Sequence, residues 1–468
     1  MCVRRKFLLF ISIFIGCIII ACIIIAACRN FNHTKHPPPQ KPQPSTSPSL
    51  PPQKPKQSPP RPQISPPPSK PPQPPPPAFE SPRLALVYPV IQAFKKKVTF
   101  DPKEVTKTWT GTNICRDYKG FFCDIVPHYN QIALSGVDFN HFYLGGRNLT
   151  ITDLLSGLPD IVFFHANSNN FTGSFPTDLN KLKYFYELDL SNNKFSGEFP
   201  YRVLRATKLK FLDLRFNAFA GVVPPQFLRL NLDFLLINNN NFAKKLPENL
   251  GSTTANYVTV ANNEFVGGIP PSIGQASDTL FEVLFLNNWL SGCLPYEIGL
   301  LKKAYVFDVE SNYLTGSIPH SFQCLKKMQV LNLARNNFYG VVPEMVCSLP
   351  ELFSFTLAYN YFTEVGPRCR ELIKNGVLDV KKNCIVDLPD QRSSADCANF
   401  FSRSHSCPNE TSLTYVPCTQ VYSSAQLESS DVHLTAPAPA PTQPPRWLTY
   451  DALSASYVIS SRHTHYYM

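Results

Sequence analysis

The stretch Tyr186-Glu187-Leu188-Asp189-Leu190-Ser191-Asn192-Asn193-Lys194-Phe195-Ser196-Gly197-Glu198-Phe199-Pro200 decides the fold of this 468-residue chain. Leu188 and Leu190 alternate with Asp189 and Ser191, the two-residue period of a short strand with one buried face. Asn193, Phe195, Gly197 and Pro200 follow at offsets that recur along the chain. The closing prolines are Pro176, Pro200, Pro224, Pro247, Pro270, Pro295, Pro319, Pro343 and Pro367, spaced 23 to 25 residues apart. A repeat of that length cannot bury its apolar face alone, so the units must stack into a solenoid. Such an array offers a long concave surface, suited to gripping a partner more than to enclosing a reaction.

Within each unit the regular residues have structural work. Asn169, Asn193, Asn217, Asn240, Asn263, Asn288, Asn312, Asn336 and Asn360 recur in register. Amides so placed are expected to satisfy backbone groups of neighbouring turns, forming a ladder. Phe171, Phe195, Phe219, Phe242, Phe265, Leu290, Leu314, Phe338 and Phe362 follow as a second apolar column, so this aromatic stripe reads as core. A glycine such as Gly197 permits the bend after the strand. The proline then opens the convex segment, where its missing N–H does no harm.

The flanks differ from the array. Residues 1–28 hold Arg4, Arg5 and Lys6 before an uncharged run from Phe7 to Cys28, which serves as a cleaved signal peptide or an uncleaved signal anchor. Residues 29–79 form a Pro-rich segment, with 21 prolines between 37 and 77, expected to be disordered and extended as polyproline II. Residues 80–131 read as an N-terminal cap, where Leu84 to Phe94 predicts a short helix interrupted at Pro89. The repeats, about ten, run from 132 to 367, and a Cys-rich C-terminal cap occupies 368–422. Residues 423–468, with Ala436 to Pro441 alternating Ala and Pro, form a second disordered tail.

The net charge of +11 resides almost wholly in residues 1–79, which carry ten Lys/Arg and no Asp/Glu. The array is therefore no basic platform for nucleic acid, while the basic tail suits acidic wall polymers such as pectin. Ten of the fourteen cysteines lie between Cys115 and Cys418 at the ends of the array, an even number that suits disulfides in an oxidising compartment. Cys115–Cys123 closes a small loop, and Cys293–Cys324 are paired as members of successive convex segments. Cys347–Cys369, Cys384–Cys397 and Cys407–Cys418 are paired as sequence neighbours, although spacing alone does not fix connectivity. Asn32, Asn148, Asn170 and Asn409 stand in N-glycosylation sequons.

The pattern LxLxxNxFxGxIP resembles plant-type extracellular leucine-rich repeats. The cap residues Trp109, Gly111, Cys115, Gly120 and Cys123, the stretch Gly292-Cys293-Leu294-Pro295, and Asn383-Cys384 with Gln391 to Ser394 and Cys397 narrow the likeness. Together they are similar to the leucine-rich repeat extensin family of plant cell walls, over about 83–420. The resemblance implies an α/β repeat fold: a right-handed leucine-rich repeat solenoid with disulfide-bonded caps, flanked by Pro-rich tails. In that family the proline-rich extensin domain follows the repeats, whereas here a short Pro-rich block precedes them. The resemblance further implies a secreted cell-wall protein whose repeats bind a small, basic, cysteine-containing secreted peptide of the rapid alkalinization factor type and link it to wall organisation. Membrane association enters only if the N-terminal run stays uncleaved.

The outward positions give a separate reading of the surface. Asp189 and Asp213 make one acidic patch, with Glu187 at its edge, and Asp308 and Glu310 make a second beside Leu284 and Leu286. Phe216, Tyr257 and Trp289 lie near the same face. An apolar pair beside acids is what a basic peptide needs. Asp308 and Glu310 also resemble a glycosidase pair in type. A shallow open surface excludes little water, however, and no metal spacing, phosphate loop or nucleophile context accompanies them. The expectation is a binding protein that uses no cofactor. The alternatives are an inhibitor of polygalacturonase, or a purely structural wall glycoprotein.

Overall fold

The computed structural model describes residues 78–126, 128–176 and 178–419. The expected signal or anchor run, nearly all of the Pro-rich segment, Asn32 and the tail from 423 lie outside the described residues.

Short strands, one per repeat, pair in parallel as a twelve-stranded sheet that forms the concave face. Its first pair, Phe121–Val126 and Gln131–Asp138, is antiparallel; the strands then run Phe163–His165, Glu187–Asp189, Phe211–Asp213, Phe234–Leu236, Tyr257–Thr259, Glu282–Leu284, Val306–Asp308, Val330–Asn332, Ser354–Thr356 and Leu378–Asp379. Register is kept from turn to turn, with Leu188 opposite Leu212 and Leu212 opposite Leu235. These central residues are fully or nearly fully buried, as the alternation requires. An eight-stranded parallel sheet from Ser196–Glu198 to Tyr361–Val365 lines the flank. The convex side is closed by 3-10 turns, such as Pro271–Ala276 and His320–Cys324, entered from Pro270 and Pro319 as caps in extended geometry.

The asparagine ladder stitches the turns. Asn312 Oδ1 accepts from the Leu290 N–H of the previous turn at 2.9 Å, and its Nδ2 donates to the carbonyls of Phe285 and Val309. The same pattern runs from Asn169 to Asn360 and continues one turn further at Asn383. Just before each ladder amide the chain turns through a left-handed residue: Ser168, Asn192, Phe216, Asn239, Asn262, Asn287, Ser311, Arg335, Tyr359 and Lys382. Asn tolerates that conformation, whereas Ser168, Phe216, Ser311, Arg335, Tyr359 and Lys382 take it at a cost. Behind the ladder the phenylalanines stack, with Phe195, Phe219 and Phe242 at centroid spacings of 6.0 and 6.2 Å.

The caps close both ends. Helix α1, Pro82–Lys97, starts at Ser81, whose side chain accepts from Leu84 N–H, and it lays Leu84, Val87, Ile91 and Phe94 on the first turn. It runs through Pro89, where a break is expected; Pro89 is exposed, so the missing hydrogen bond lies on the solvent side. Phe94 and the fully buried Trp109 pack on Phe139, and Arg83 grips Asp160 through two hydrogen bonds. Cys115–Cys123, Cys347–Cys369 and Cys384–Cys397 are bonded.

Two expected pairs are corrected. Cys293 bonds Cys407, not Cys324, and Cys324 bonds Cys418, so no Cys407–Cys418 bridge forms. Cys293 ends a flank strand while Cys324 ends a convex 3-10 turn, so the two face different sides of the solenoid. Each instead fastens the C-terminal segment, which runs back along the array. Phe400 of that segment stacks on Tyr361 at 3.6 Å, and Gly316 (φ +88°) has no Cβ to collide with the Cys407 sulfur.

Candidate functional site on the concave face

The concave sheet divides into three zones, because each strand shows its first and third residues on that side. In the N-terminal zone His165, Glu187, Asp189 and Asp213 come together. His165 Nε2 lies 2.9 Å from Glu187. Burial opposes its charge, but Glu187, with help from Asp189 and Asp138, holds the imidazole above its ordinary pKa. Asp189 is pushed up by burial and by Asp213. Asp213 is 0% exposed: Arg215 forks onto both its oxygens. It is a neutralised internal acid, not a presented charge.

A local motif explains these aspartates. Asp138, Asp189, Asp213, Asp308 and Asp379 each accept from the N–H two residues on, and Asn332 does the same. This closes the strand with an Asx-type turn. One oxygen of each is thus committed to the backbone before any partner arrives.

The middle zone is apolar and aromatic. Phe211, Phe234 and Tyr257 occupy one register column, with ring spacings of 5.9 and 4.9 Å. Phe281 and Tyr305, each one residue ahead of that column, continue the ring contacts at 6.1 and 6.0 Å. Leu236, Leu284 and Leu286 are half-buried beside them. Glu282, absent from the sequence-based candidates, sits in the same column opposite Tyr257. It is 6% exposed, and burial pushes its carboxyl up to about 7 against the contact with Tyr305. Its signal in the sequence is an acid two residues before Leu284, and therefore on the same face.

The C-terminal zone is polar. Asn332 Nδ2 donates to Asp308 at 3.1 Å and to Glu310 at 3.0 Å, binding the two carboxyls into one unit. Burial carries Asp308 up to about 7, with Glu310 adding to it against hydrogen bonds from the Glu310 N–H and Asn332. Arg335 reaches Glu310 at 3.3 Å and stacks over Tyr359 at 4.2 Å.

Other expected residues fall elsewhere. Phe216 occupies a left-handed corner between the two sheets, half-buried. Trp289, 52% exposed, opens a flank strand and stands off the concave face. Asn148 and Asn409 are exposed, Asn170 is half-buried, and Asn409 also caps the turn Glu410–Leu413. Among the described residues no cluster has the make-up of a metal site, and no helix is long and apolar enough to cross a membrane.

Models of the leucine-rich repeat match residues 185–203 and 302–362. The chain is similar to leucine-rich repeat extensin-like protein 6 of Arabidopsis thaliana, 46% identical over 71% of this chain and 69% of that protein. To leucine-rich repeat extensin-like protein 1 of the same plant it is 40% identical over 24% of this chain, and the match spans only 15% of that protein's length. The fold is shared with the leucine-rich-repeat ectodomain of the plant membrane receptor kinase GASSHO1/SCHENGEN3 from Arabidopsis thaliana, solved in complex with CASPARIAN STRIP INTEGRITY FACTOR 2. That likeness has a TM-score of 0.54 and 23% identity, over 63% of this chain and 38% of the other.

Proposed function

The chain belongs to the plant family of leucine-rich repeat extensin-like proteins, and from that premise we propose that its concave face binds a small, basic, cysteine-containing secreted peptide of the rapid alkalinization factor type, linking that peptide to wall organisation. The protein acts in the cell wall, as a binder and not as an enzyme. The observation that carries the reading is the zoning of the concave sheet: an aromatic and leucine-rich middle between two carboxylate-bearing zones. An amphipathic cationic peptide finds apolar contact area at the centre and opposite charge on either side. Five disulfides suit the oxidising exterior in which such a peptide circulates.

Calorimetric titration of the full chain with a panel of basic, cysteine-containing secreted peptides tests the reading. Saturable binding by at least one, weakened by about tenfold or more in Asp308→Ala/Glu310→Ala, is expected for loss of a charged anchor. A panel in which no peptide binds overturns it.

A further inference from the structure

The acids of the concave face differ in what neutralises them. Glu187 has His165, Asp213 has Arg215, and Glu310 has Arg335. Glu282 lies in the same register column as Glu187, yet no cation reaches it among the described residues. Its Oε1 is buried without a hydrogen-bond partner. Tyr305 meets the carboxyl in part, but a buried carboxyl with one oxygen unpartnered is costly and calls for an explanation.

The surroundings supply one. Tyr257 flanks Glu282 on the neighbouring strand, stacked on Phe234. Tyr305 stacks on Phe281, and its hydroxyl lies 3.2 Å from that of Tyr257. Aromatic rings attract a cation through their faces, and a carboxylate supplies the charge-assisted bond that fixes it. Leu284, on the same side two residues along, offers apolar surface to an aliphatic stem.

We propose that Glu282, framed by Tyr257, Phe281 and Tyr305, is the seat of one lysine or arginine side chain of the polypeptide that lies across the concave face. The assignment rests on the partner reading above and adds the point at which the partner is anchored. Docking swings Tyr257 or Tyr305 aside, since Oε1 is covered. It also displaces the proton that the buried carboxyl holds near neutrality.

The test uses the full chain and two N-acetylated, C-amidated probes, Gly-Gly-Lys-Gly-Gly and the same pentapeptide with norleucine for lysine, titrated at neutral pH in two buffers of different ionisation enthalpy. The lysine probe is expected to bind with proton release and the norleucine probe to bind not at all. Glu282→Gln, which keeps the bulk, and Tyr257→Leu are each expected to weaken the lysine probe by about tenfold or more. Glu248→Gln, an exposed control, should leave binding unchanged. Equal binding of the lysine probe by Glu282→Gln and the unaltered chain, equal binding of both probes, or no binding of either overturns the seat. If the cysteine-containing peptides still bind in that case, the seat is wrong and the partner reading stands; if the probes bind and the whole panel fails, the reverse holds.

Discussion

At the scale of single residues, the same side chain means different things in neighbouring turns. Asn312 is structural: replacing it with alanine orphans Leu290 N–H and carbonyls of two turns, so Asn312→Ala should cost about 2–3 kcal/mol in urea unfolding. The ladder was legible because it is periodic. The aspartates were legible only in part: alternation puts Asp189, Asp213 and Asp308 on the outer face, but periodicity does not reveal that each caps its own strand or that Arg215 covers Asp213. Glu282 stands at a position that is apolar in most turns, so the sequence pattern there reads as packing. Its carboxyl titrates near 7 when folded against an ordinary 4.5. The groups facing it are Tyr257 on one side, and Tyr305 with Asp308 further along its strand on the other. Below pH 4.5 both states are protonated and the difference vanishes. From 4.5 to 7 the unfolded chain loses its proton first, so native stability falls across that window, by at most about 3 kcal/mol. Glu282→Gln should therefore melt like the unaltered protein in acid and higher than it at pH 8, as scanning calorimetry would read.

At the scale of elements, strands and convex turns followed from the motif, whereas the C-terminal segment did not. Its cysteines carry no period, and their partners are set by its path back over the array. Pairing Cys293 with Cys324 treats a flank strand and a convex turn as one face. The bridges Cys293–Cys407 and Cys324–Cys418 close loops of 114 and 94 residues. By loop-closure entropy each is worth about 4–5 kcal/mol against the unfolded state. Cys407→Ser should lower the melting temperature clearly and loosen the packing of Phe400 on Tyr361. Non-reducing peptide mapping should recover the Cys293–Cys407 fragment; a Cys407–Cys418 fragment would refute the connectivity. The unbroken helix α1 teaches a similar lesson: Pro89 lies within it on the exposed side, where the lost hydrogen bond faces solvent.

At the scale of the whole molecule, the regular residues build the surface and the irregular ones give it character. The repeat fixed how the concave face is presented; its zoning arises from where Leu, Phe, Tyr and Glu replace the common outward residues, and one unit shows none of that. Three carboxyls on that face, Asp189, Glu282 and Asp308, are held above their ordinary pKa values, chiefly by burial. Asp189 faces Asp213, His165 and Ser191; Glu282 faces Tyr257 and Tyr305; Asp308 faces Glu310 and Asn332. Each gains negative charge as pH rises through the range near neutrality, so affinity for a cationic peptide should climb between pH 5 and pH 8 and weaken with added salt. Hydrogen–deuterium exchange of the full chain, with and without a bound basic, cysteine-containing peptide, tests the central claim most directly. Protection concentrated on the concave strands from Phe234–Leu236 to Val330–Asn332 is the predicted result. Protection confined to the flank sheet or the convex turns, or none anywhere, would contradict it.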